Sequence, residues 1–298
     1  MNVLSLFDGI SCGMVALERA GIKVNNYFAS EIKKCAIKCS KENYPDIIHV
    51  GDVTKISYKD DTLYTENGAY KTTIDLLIGG SPCQDFSPLK WINGKGEGLK
   101  GDKSKLFYEY LRILKEVKPK YFLLENVKMK KESEKALTNF LGVTGLHINS
   151  SLVSYQNRPR VYWSNIPGVT IPKDKKINFQ DYKETNHEIL KQYKVKRTPS
   201  RVRMWNNGSG KTDYKSCANI TNSSKIYCLT RKQDRCPNSG LIEFEDFCRY
   251  LTRAEIEQAQ TLPIGYTDCL TYSQMQDVCG DGWTVDVIAH ILRGLNNG

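Results

Sequence analysis

Two side chains in this sequence stand where a chain could do chemistry. Cys83 lies within Ile74-Asp-Leu-Leu-Ile-Gly-Gly-Ser-Pro-Cys-Gln-Asp-Phe-Ser87. Four apolar residues in five positions, closed by Gly79-Gly80, predict a buried parallel strand that ends in a turn. Reactive groups in open α/β sheets gather beyond the carboxyl ends of the strands, which makes Cys83 a candidate nucleophile. Pro82 fixes its own φ and restricts Ser81, so the thiol would be held in one orientation. A buried, inert cysteine in a strand-end loop would read the same way in this stretch alone. The second side chain is Glu125, at the carboxyl end of another apolar run, Tyr121-Phe-Leu-Leu-Glu125. A paired surface carboxylate is the plainer reading of Glu125 by itself. A thiol and a carboxylate at one edge of one parallel sheet favour catalysis.

The elements that must position them follow from periodicity and turn residues. Asn2–Leu6 predicts a strand, Phe7-Asp-Gly-Ile-Ser-Cys-Gly13 a glycine turn, and Met14–Ala20 a helix. Val24–Ala29 predicts a second strand, ending at Ser30-Glu31. Glu31 lies 18 residues after Gly13, near the spacing at which an acid binds ribose hydroxyls in nucleotide-binding α/β folds. A further strand and turn end at Gly51-Asp52-Val53. The stretch from Lys90 to Lys103 carries Gly94, Gly96, Gly98 and Gly101 with Lys90, Lys95, Lys100 and Lys103. It reads as a mobile, basic loop, either a plain linker or a lid beside the thiol. Leu106–Leu114 predicts an amphipathic helix. Ile148–Tyr155 and Val161–Trp163 predict strands flanking Gln156-Asn-Arg-Pro-Arg160. Residues 164–248 are polar, basic and weakly periodic, and predict a smaller domain inserted before the fold is completed. Thr252-x-x-Glu255 predicts a capping box opening a helix through Gln260, and Val285–Leu295 a closing helix.

Composition narrows the partners. The net charge is +10 over 298 residues, and residues 164–248 hold 16 basic against 9 acidic side chains, so +7 lies there. That suits a polyanion, although basic surfaces are often only solvated faces. The 10 cysteines are dispersed without a C-x-x-C pair, which favours free thiols in a reducing compartment. Cys217, Cys228, Cys236 and Cys248 are too irregularly spaced for a zinc site, so no metal is expected. Gly208-Ser-Gly-Lys-Thr212 imitates a phosphate-binding loop, but Trp205 stands where its first glycine belongs. No apolar stretch approaches the ~20 residues of a membrane span, and the N-terminus has no basic region, so an intracellular protein is expected.

In order along nearly the whole chain, these residues resemble the cytosine-5 DNA methyltransferase family. Phe7-x-Gly9-x-x-x-Gly13 resembles its first motif, Glu31 and Asp52 its ribose and adenine acids, Gly80-Ser-Pro-Cys-Gln84 its nucleophile motif and Glu125-Asn126-Val127 its Glu-Asn-Val motif. Gln156-x-Arg158-x-Arg160 resembles the Gln-x-Arg-x-Arg motif, and Arg249-x-Leu-Thr-x-x-Glu255 and Gly280–Val285 the closing pair. Phe7-Asp8-Gly9, Gly51-Asp52-Val53 and Trp283 are most similar to the animal de novo branch and its phage and bacterial relatives. Two departures are Asp281, where the family carries asparagine, and Asp8, where a smaller residue is commoner.

The resemblance implies an α/β, Rossmann-like S-adenosylmethionine-dependent methyltransferase sheet with helices on both faces, from residues 1–163 and 249–298. It implies a small, mostly irregular or β target-recognition domain at 164–248. Cys83 would add to carbon 6 of a flipped cytosine, with Glu125 at ring nitrogen 3 and Arg160 at the carbonyl oxygen of ring carbon 2. Arg158 would position Glu125 or a phosphate. S-adenosylmethionine would lie against Phe7, Asp8, Gly9, Ile10, Gly13, Glu31, Ile32, Asp52, Val53, Pro82, Asp281, Trp283 and Thr284. Gln84, Ser87 and Lys90 would meet double-stranded DNA, as would Arg231, Lys232 and Arg235 after an Ile226–Leu229 strand. A monomer in the cytoplasm of a bacterial or phage-infected cell is expected, with or without a restriction endonuclease partner. A tRNA methyltransferase on the same fold and a catalytically silent nucleic-acid-binding protein are the alternatives. The Cys-Phe-Thr signature of the tRNA branch is absent.

Overall fold

The computed structural model describes residues 1–81, 105–202, 219–231, 240–244 and 247–297. The described chain forms two compact units, one of residues 1–148, 159–172 and 287–298, the other of 149–158 and 173–286. These units are defined by packing. The recognition role of 164–248 is a functional boundary and stays a proposal.

The first unit is built on a seven-stranded sheet of order β3-β2-β1-β7-β8-β10-β9. Strands β1 (Asn2–Leu6), β2 (Asn26–Ser30), β3 (Ile48–His49), β7 (Leu76–Gly79) and β8 (Tyr121–Val127) run parallel, and β10 (Pro159–Ser164) is antiparallel to β8. β9 (Leu146–Asn149) takes the edge. The chain winds outward from β1 to β3 through helices α1 (Cys12–Ala20) and α2 (Lys34–Asn43), then returns to the other side of β1 at β7. That reversal between β1 and β7 is the topological switch point at which open sheets bind ligands.

Alternation explains why the sheet is buried on both faces. Leu4, Leu6, Leu77 and Leu124 join one apolar cluster with Phe107, Tyr110 and Ile113 of α3 (Lys105–Val117) and Leu137 and Leu141 of α4 (Lys131–Leu141). Val3, Leu76, Ile78 and Leu123, facing the other way, are equally inaccessible. Gly79 is required by close approach, since a Cβ there would stand 3.0 Å from the Leu6 carbonyl and from the Tyr110 ring.

Between Asp52 and β7 the chain adds a three-stranded antiparallel meander, β4 (Ser57–Lys59), β5 (Thr62–Thr65) and β6 (Gly68–Lys71). The sequence reading had no element here. Its first turn carries Asp60 and Asp61 at φ of 50° and 52°, the paired left-handed residues of a tight hairpin.

The second unit holds a small antiparallel sheet, β11 (Lys194–Val195), β13 (Phe247–Arg249) and β12 (Ile242–Phe244) in that order. It also holds helices α5 (His187–Lys191), α6 (Arg253–Ala259) and α7 (Tyr272–Asp281). The capping box at Thr252 and Glu255 forms as expected. The last helix, α8 (Val285–Leu292), stops short of Leu295 and tightens into a 3-10 turn.

Two strand expectations are corrected. Ile148–Tyr155 is extended only to Asn149, whose side chain accepts from the Ser151 N–H and turns the chain into a 3-10 helix. Ile226–Leu229 is not a strand. Ile226 makes a single bridge to Gln156, and Leu229 N–H donates to the Gln156 side chain instead of to a neighbouring strand.

Candidate functional site

The carboxyl end of β1 carries a left-handed loop. Phe7, Gly9 and Ser11 have φ of 58°, 64° and 58°. A Cβ on Gly9 would meet nothing within 4 Å, so the backbone conformation, with open space above it, is what calls for glycine. Glu31, at the end of β2, fixes this loop from the side. One of its oxygens accepts from the Gly9 N–H at 2.9 Å, and the other from the Ile32 and Lys33 N–H groups, both at 2.8 Å. Ile32 is 71 % exposed beside it, whereas Ile10 and Gly13 are buried.

Asp8 turns inward. Its carboxylate accepts from the Tyr27 hydroxyl and from Ser11 Oγ, each at 2.6 Å, and Ser11 Oγ lies 2.6 Å from Ser40 Oγ. Burial pushes the Asp8 carboxyl above its ordinary value, against the lowering effect of these hydroxyls. The side chain therefore braces the loop from beneath, and the Ser11 side chain is drawn away from capping α1.

The third acid, Asp52, closes the same side of the sheet. Its Oδ1 accepts from the Thr54 N–H and hydroxyl, both at 2.9 Å, and Val53 is buried. A glycine turn, a ribose-type acid at Glu31, an exposed apolar side chain at Ile32 and a second acid at Asp52 suit a bound nucleoside.

The ends of β7 and β8 form the second part. Ser81 is buried, and its Oγ accepts from Asn126 Nδ2 at 3.1 Å. Asn126 Oδ1 in turn accepts from the Val127 N–H at 2.8 Å, so the asparagine ties the two strand ends together. Glu125 is 8 % exposed and meets the Arg160 Nε at 2.8 Å. The register explains the pair. Tyr162 stands opposite Glu125 and Arg160 opposite Val127, which places Arg160 diagonally across from Glu125. Pro82, Cys83, Gln84, Ser87 and Lys90 lie outside the described residues, as do the rest of the expected lid, Lys232, Arg235 and Gly208–Thr212. Cys83 follows Ser81 by two residues in the sequence.

The other expected residues belong to the second unit. Arg158 is 3 % exposed. It donates to the carbonyls of Leu229 at 3.4 Å, Gly280 at 3.2 Å and Gly282 at 2.8 Å, with Cys228 Sγ at 3.3 Å. The guanidinium expected to position Glu125 or a phosphate thus clamps backbone inside this unit. Gln156 is used in the same way, donating to the Ala259 carbonyl at 3.0 Å. Gly280 is demanded by packing, because a Cβ there would press on the backbone of Thr230 and Arg231 at 2.9 Å. Thr284 is buried and donates to Gln260 at 2.9 Å, Trp283 is half-buried, and Asp281 is exposed. Arg231 pairs with Asp277 and lies 3.9 Å from Asp281. Sequence reading missed the Ser81–Asn126 tie and the Tyr27–Asp8 bond. Among the described residues no group of His, Cys, Asp and Glu is arranged to hold a metal, and no helix is long and apolar enough to cross a membrane.

The sheet order, the reversal at β1 and β7 and the glycine loop braced by Glu31 define a Rossmann-like methyltransferase fold. Two solved structures share it over nearly all of both chains. They are the Entamoeba histolytica methyltransferase EhMeth (TM-score 0.73, 18 % identity, 100 % of this chain and 98 % of that one) and the S. pombe Dnmt2 methyltransferase (0.69, 19 %, 99 % and 99 %). The model of the C-5 cytosine-specific DNA methylases matches residues 1–165, more than half of the sequence, and the chain belongs to that family. Among curated relatives, the orphan methyltransferase M.Rho11sI of Bacillus phage rho11s is 35 % identical over 175 residues, 54 % of this chain and 32 % of that protein. The type II methyltransferase M1.ScrFI of Lactococcus lactis subsp. cremoris is 37 % identical over 172 residues, 54 % and 40 %. The matches thus span well under half the length of these relatives.

Proposed function

We propose that this chain transfers a methyl group from S-adenosylmethionine to carbon 5 of cytosine in duplex DNA. The observation that carries the reading is the pairing of buried Glu125 with Arg160 on the sheet whose β1 and β2 ends present the Gly9–Glu31 loop. Bound there, S-adenosylmethionine would supply an electrophilic methyl group. Gly9, Glu31, Ile32, Asp52 and Val53 are the residues proposed to hold its nucleoside. By the family resemblance, Pro82, Asp281, Trp283 and Thr284 are also proposed to bind S-adenosylmethionine.

Carbon 5 of cytosine is a weak nucleophile. The Cys83 thiolate is proposed to form a bond to carbon 6, which moves electron density to carbon 5. Glu125 would hydrogen-bond ring nitrogen 3 and Arg160 the carbonyl oxygen, where negative charge grows. After transfer, a base removes the carbon 5 proton and the sulfur–carbon bond breaks, returning the thiolate. The pair already seen between Arg160 and Glu125 would let one arginine both orient the acid and meet the base. A duplex hides these atoms, so the cytosine must be flipped out. Residues 164–248, with Lys232, Arg235 and Arg231, are proposed to read the flanking DNA, together with Gln84, Ser87 and Lys90.

The test is transfer of labelled methyl groups to duplex DNA and to tRNA, by wild type and Cys83→Ala. Wild type should label DNA cytosine, the variant should fold and label nothing, and a duplex carrying 5-fluorocytosine should trap wild type covalently. Labelling of tRNA alone, or turnover by Cys83→Ala, would overturn the assignment.

A further inference from the structure

The meander β4–β6 has no part in the chemistry proposed above, yet its second turn lies against the Asp52 loop. Three bonds join them. Glu66 Oε1 accepts from the Asp52 N–H at 3.1 Å, Glu66 Oε2 meets Lys55 Nζ at 2.6 Å, and Asn67 Nδ2 donates to the His49 carbonyl at 2.9 Å. The loop itself is under conformational demand. Gly51 has φ of +79°, and a Cβ there would overlap the Glu66 carboxylate, so the acid covers the glycine closely. The Lys55 ammonium, and after it the Asp52 N–H, hold the Glu66 carboxyl below its ordinary value. The carboxylate is thereby kept as an acceptor although the Asp52 carboxylate is a neighbouring like charge.

We propose that Glu66 is a positioning residue for the nucleoside: it holds Gly51–Val53, and with it the Asp52 carboxylate, in the conformation that receives adenine. The inference rests on the reading of Asp52 as the adenine-recognising acid. Its physical content is a division of labour along one short segment. The Asp52 side chain is oriented from within the loop by Thr54, and the Asp52 backbone from outside by Glu66. Remove the outer support and a glycine at positive φ is free to relax, carrying Asp52 with it. A contact made by the adenine amino group is more sensitive to such a shift than contacts made by ribose or the methionine portion, which lie with Glu31 and Gly9. Selectivity for the base should therefore fall along with affinity.

The experiment measures binding of S-adenosylhomocysteine and of its inosine counterpart, which carries an oxygen where adenine has the amino group, by calorimetry on the full chain. Wild type should prefer the adenine compound by roughly 10- to 100-fold, the scale of one charge-assisted hydrogen bond. Glu66→Ala should weaken adenine binding by roughly 3- to 10-fold, the scale of one neutral bond, and narrow the preference by a similar factor. Glu66→Gln keeps an acceptor oxygen and should restore most of the preference. Methyl transfer should show the loss in KM for S-adenosylmethionine, with kcat within about twofold. Glu66→Asp, one methylene shorter with the charge retained, should behave like the alanine variant and serves if that one folds poorly.

Glu31→Ala is the companion control. If it weakens binding while Glu66→Ala does not, the strut is wrong and the pocket stands. If Glu31→Ala also leaves affinity unchanged, the pocket itself is misplaced. A Glu66→Ala protein that loses affinity equally for both bases would show mere loop damage and would likewise overturn the positioning role.

Discussion

Arg158 and Arg160 stand two residues apart in one motif and belong to two kinds of architecture. Arg160 lies on β10, where sheet register alone places it diagonally opposite Glu125. Arg158 precedes the strand, in the second unit, and is held by carbonyls of Leu229, Gly280 and Gly282. The contrast runs through both units. In the first, the backbone ladder and alternating apolar residues fix where a strand end points, and side chains inherit that position. In the second, short strands and turns are joined by buried polar side chains acting on backbone. The fullest case is Arg249–Glu255, a bidentate pair at 2.8 Å for both bonds with side chains 0 % and 1 % exposed. Glu255 also accepts from the N–H groups of Thr252 and Glu184. The lesson concerns the consequence of substitution. A polar change at a strand end of the first unit should alter chemistry and leave the fold, whereas one in the second unit should alter the fold.

The largest effect expected from this contrast is in rate. Glu125→Gln keeps the size and one acceptor of the side chain but cannot serve as an acid. We expect methyl transfer to fall by about 2–4 orders of magnitude, with an unfolding midpoint close to wild type. Single-turnover transfer and a urea melt on the same preparation check both halves. A large loss of stability would erase the distinction between the units.

Next comes Glu255→Ala, which strands the Arg249 guanidinium in a dry site. Breaking a buried pair by removing one partner costs about 3–5 kcal/mol, against about 1 kcal/mol for an ordinary substitution. Chemical denaturation should show the larger figure. Proteolytic cuts should then appear first within 173–286. A loss near the ordinary figure would mean that packing, not the ion pair, holds the second unit.

Much of the first unit was legible in the sequence because its signals are periodic. Runs such as Leu76–Ile78 and Phe122–Leu124 read as interior strands because they are short and bounded, the first by Gly79-Gly80 and the second by Glu125. The Ile148–Tyr155 strand failed because Asn149 offers its side chain to the Ser151 N–H, a local bond that outcompetes a ladder no hydropathy pattern enforces. The meander at 57–71 was legible in principle, since Asp60-Asp61 form its first turn and Glu66-Asn67, with Gly68 opening the next strand, its second. Its strands, however, are three and four residues long and mostly exposed, so alternation was weak. Arg158 was not legible at all. Whether an arginine meets a carboxylate or three carbonyls depends on chain segments more than 70 residues away. The motif gave its residues, and the fold alone assigned their partners.

The smallest expected effect tests whether the contrast has an exception. Asp8 lies in the first unit but is built like the second, a half-buried carboxyl bonded to Tyr27 and Ser11. Burial raises its pKa in the folded chain, so folding takes up a proton in the window between the ordinary carboxyl value and the raised one. Stability contributed by this group is therefore full at low pH and declines as pH rises through that window. Asp8→Asn removes the titration while offering compatible bonds. Its amide oxygen can accept from Tyr27, and its amide nitrogen can donate to Ser11 Oγ, which then donates to Ser40. The carboxyl of Glu31 raises the Asp8 value further and remains in both proteins. His49, whose pKa is lowered by burial and then by Lys41, contributes the opposite slope, also in both. The difference between the two proteins thus isolates Asp8. Urea denaturation across acid to neutral pH should show wild type losing stability relative to Asp8→Asn as pH rises. Parallel curves would mean that the Asp8 carboxyl titrates alike in the folded and unfolded chains, and that even this loop is positioned by backbone rather than by its half-buried acid.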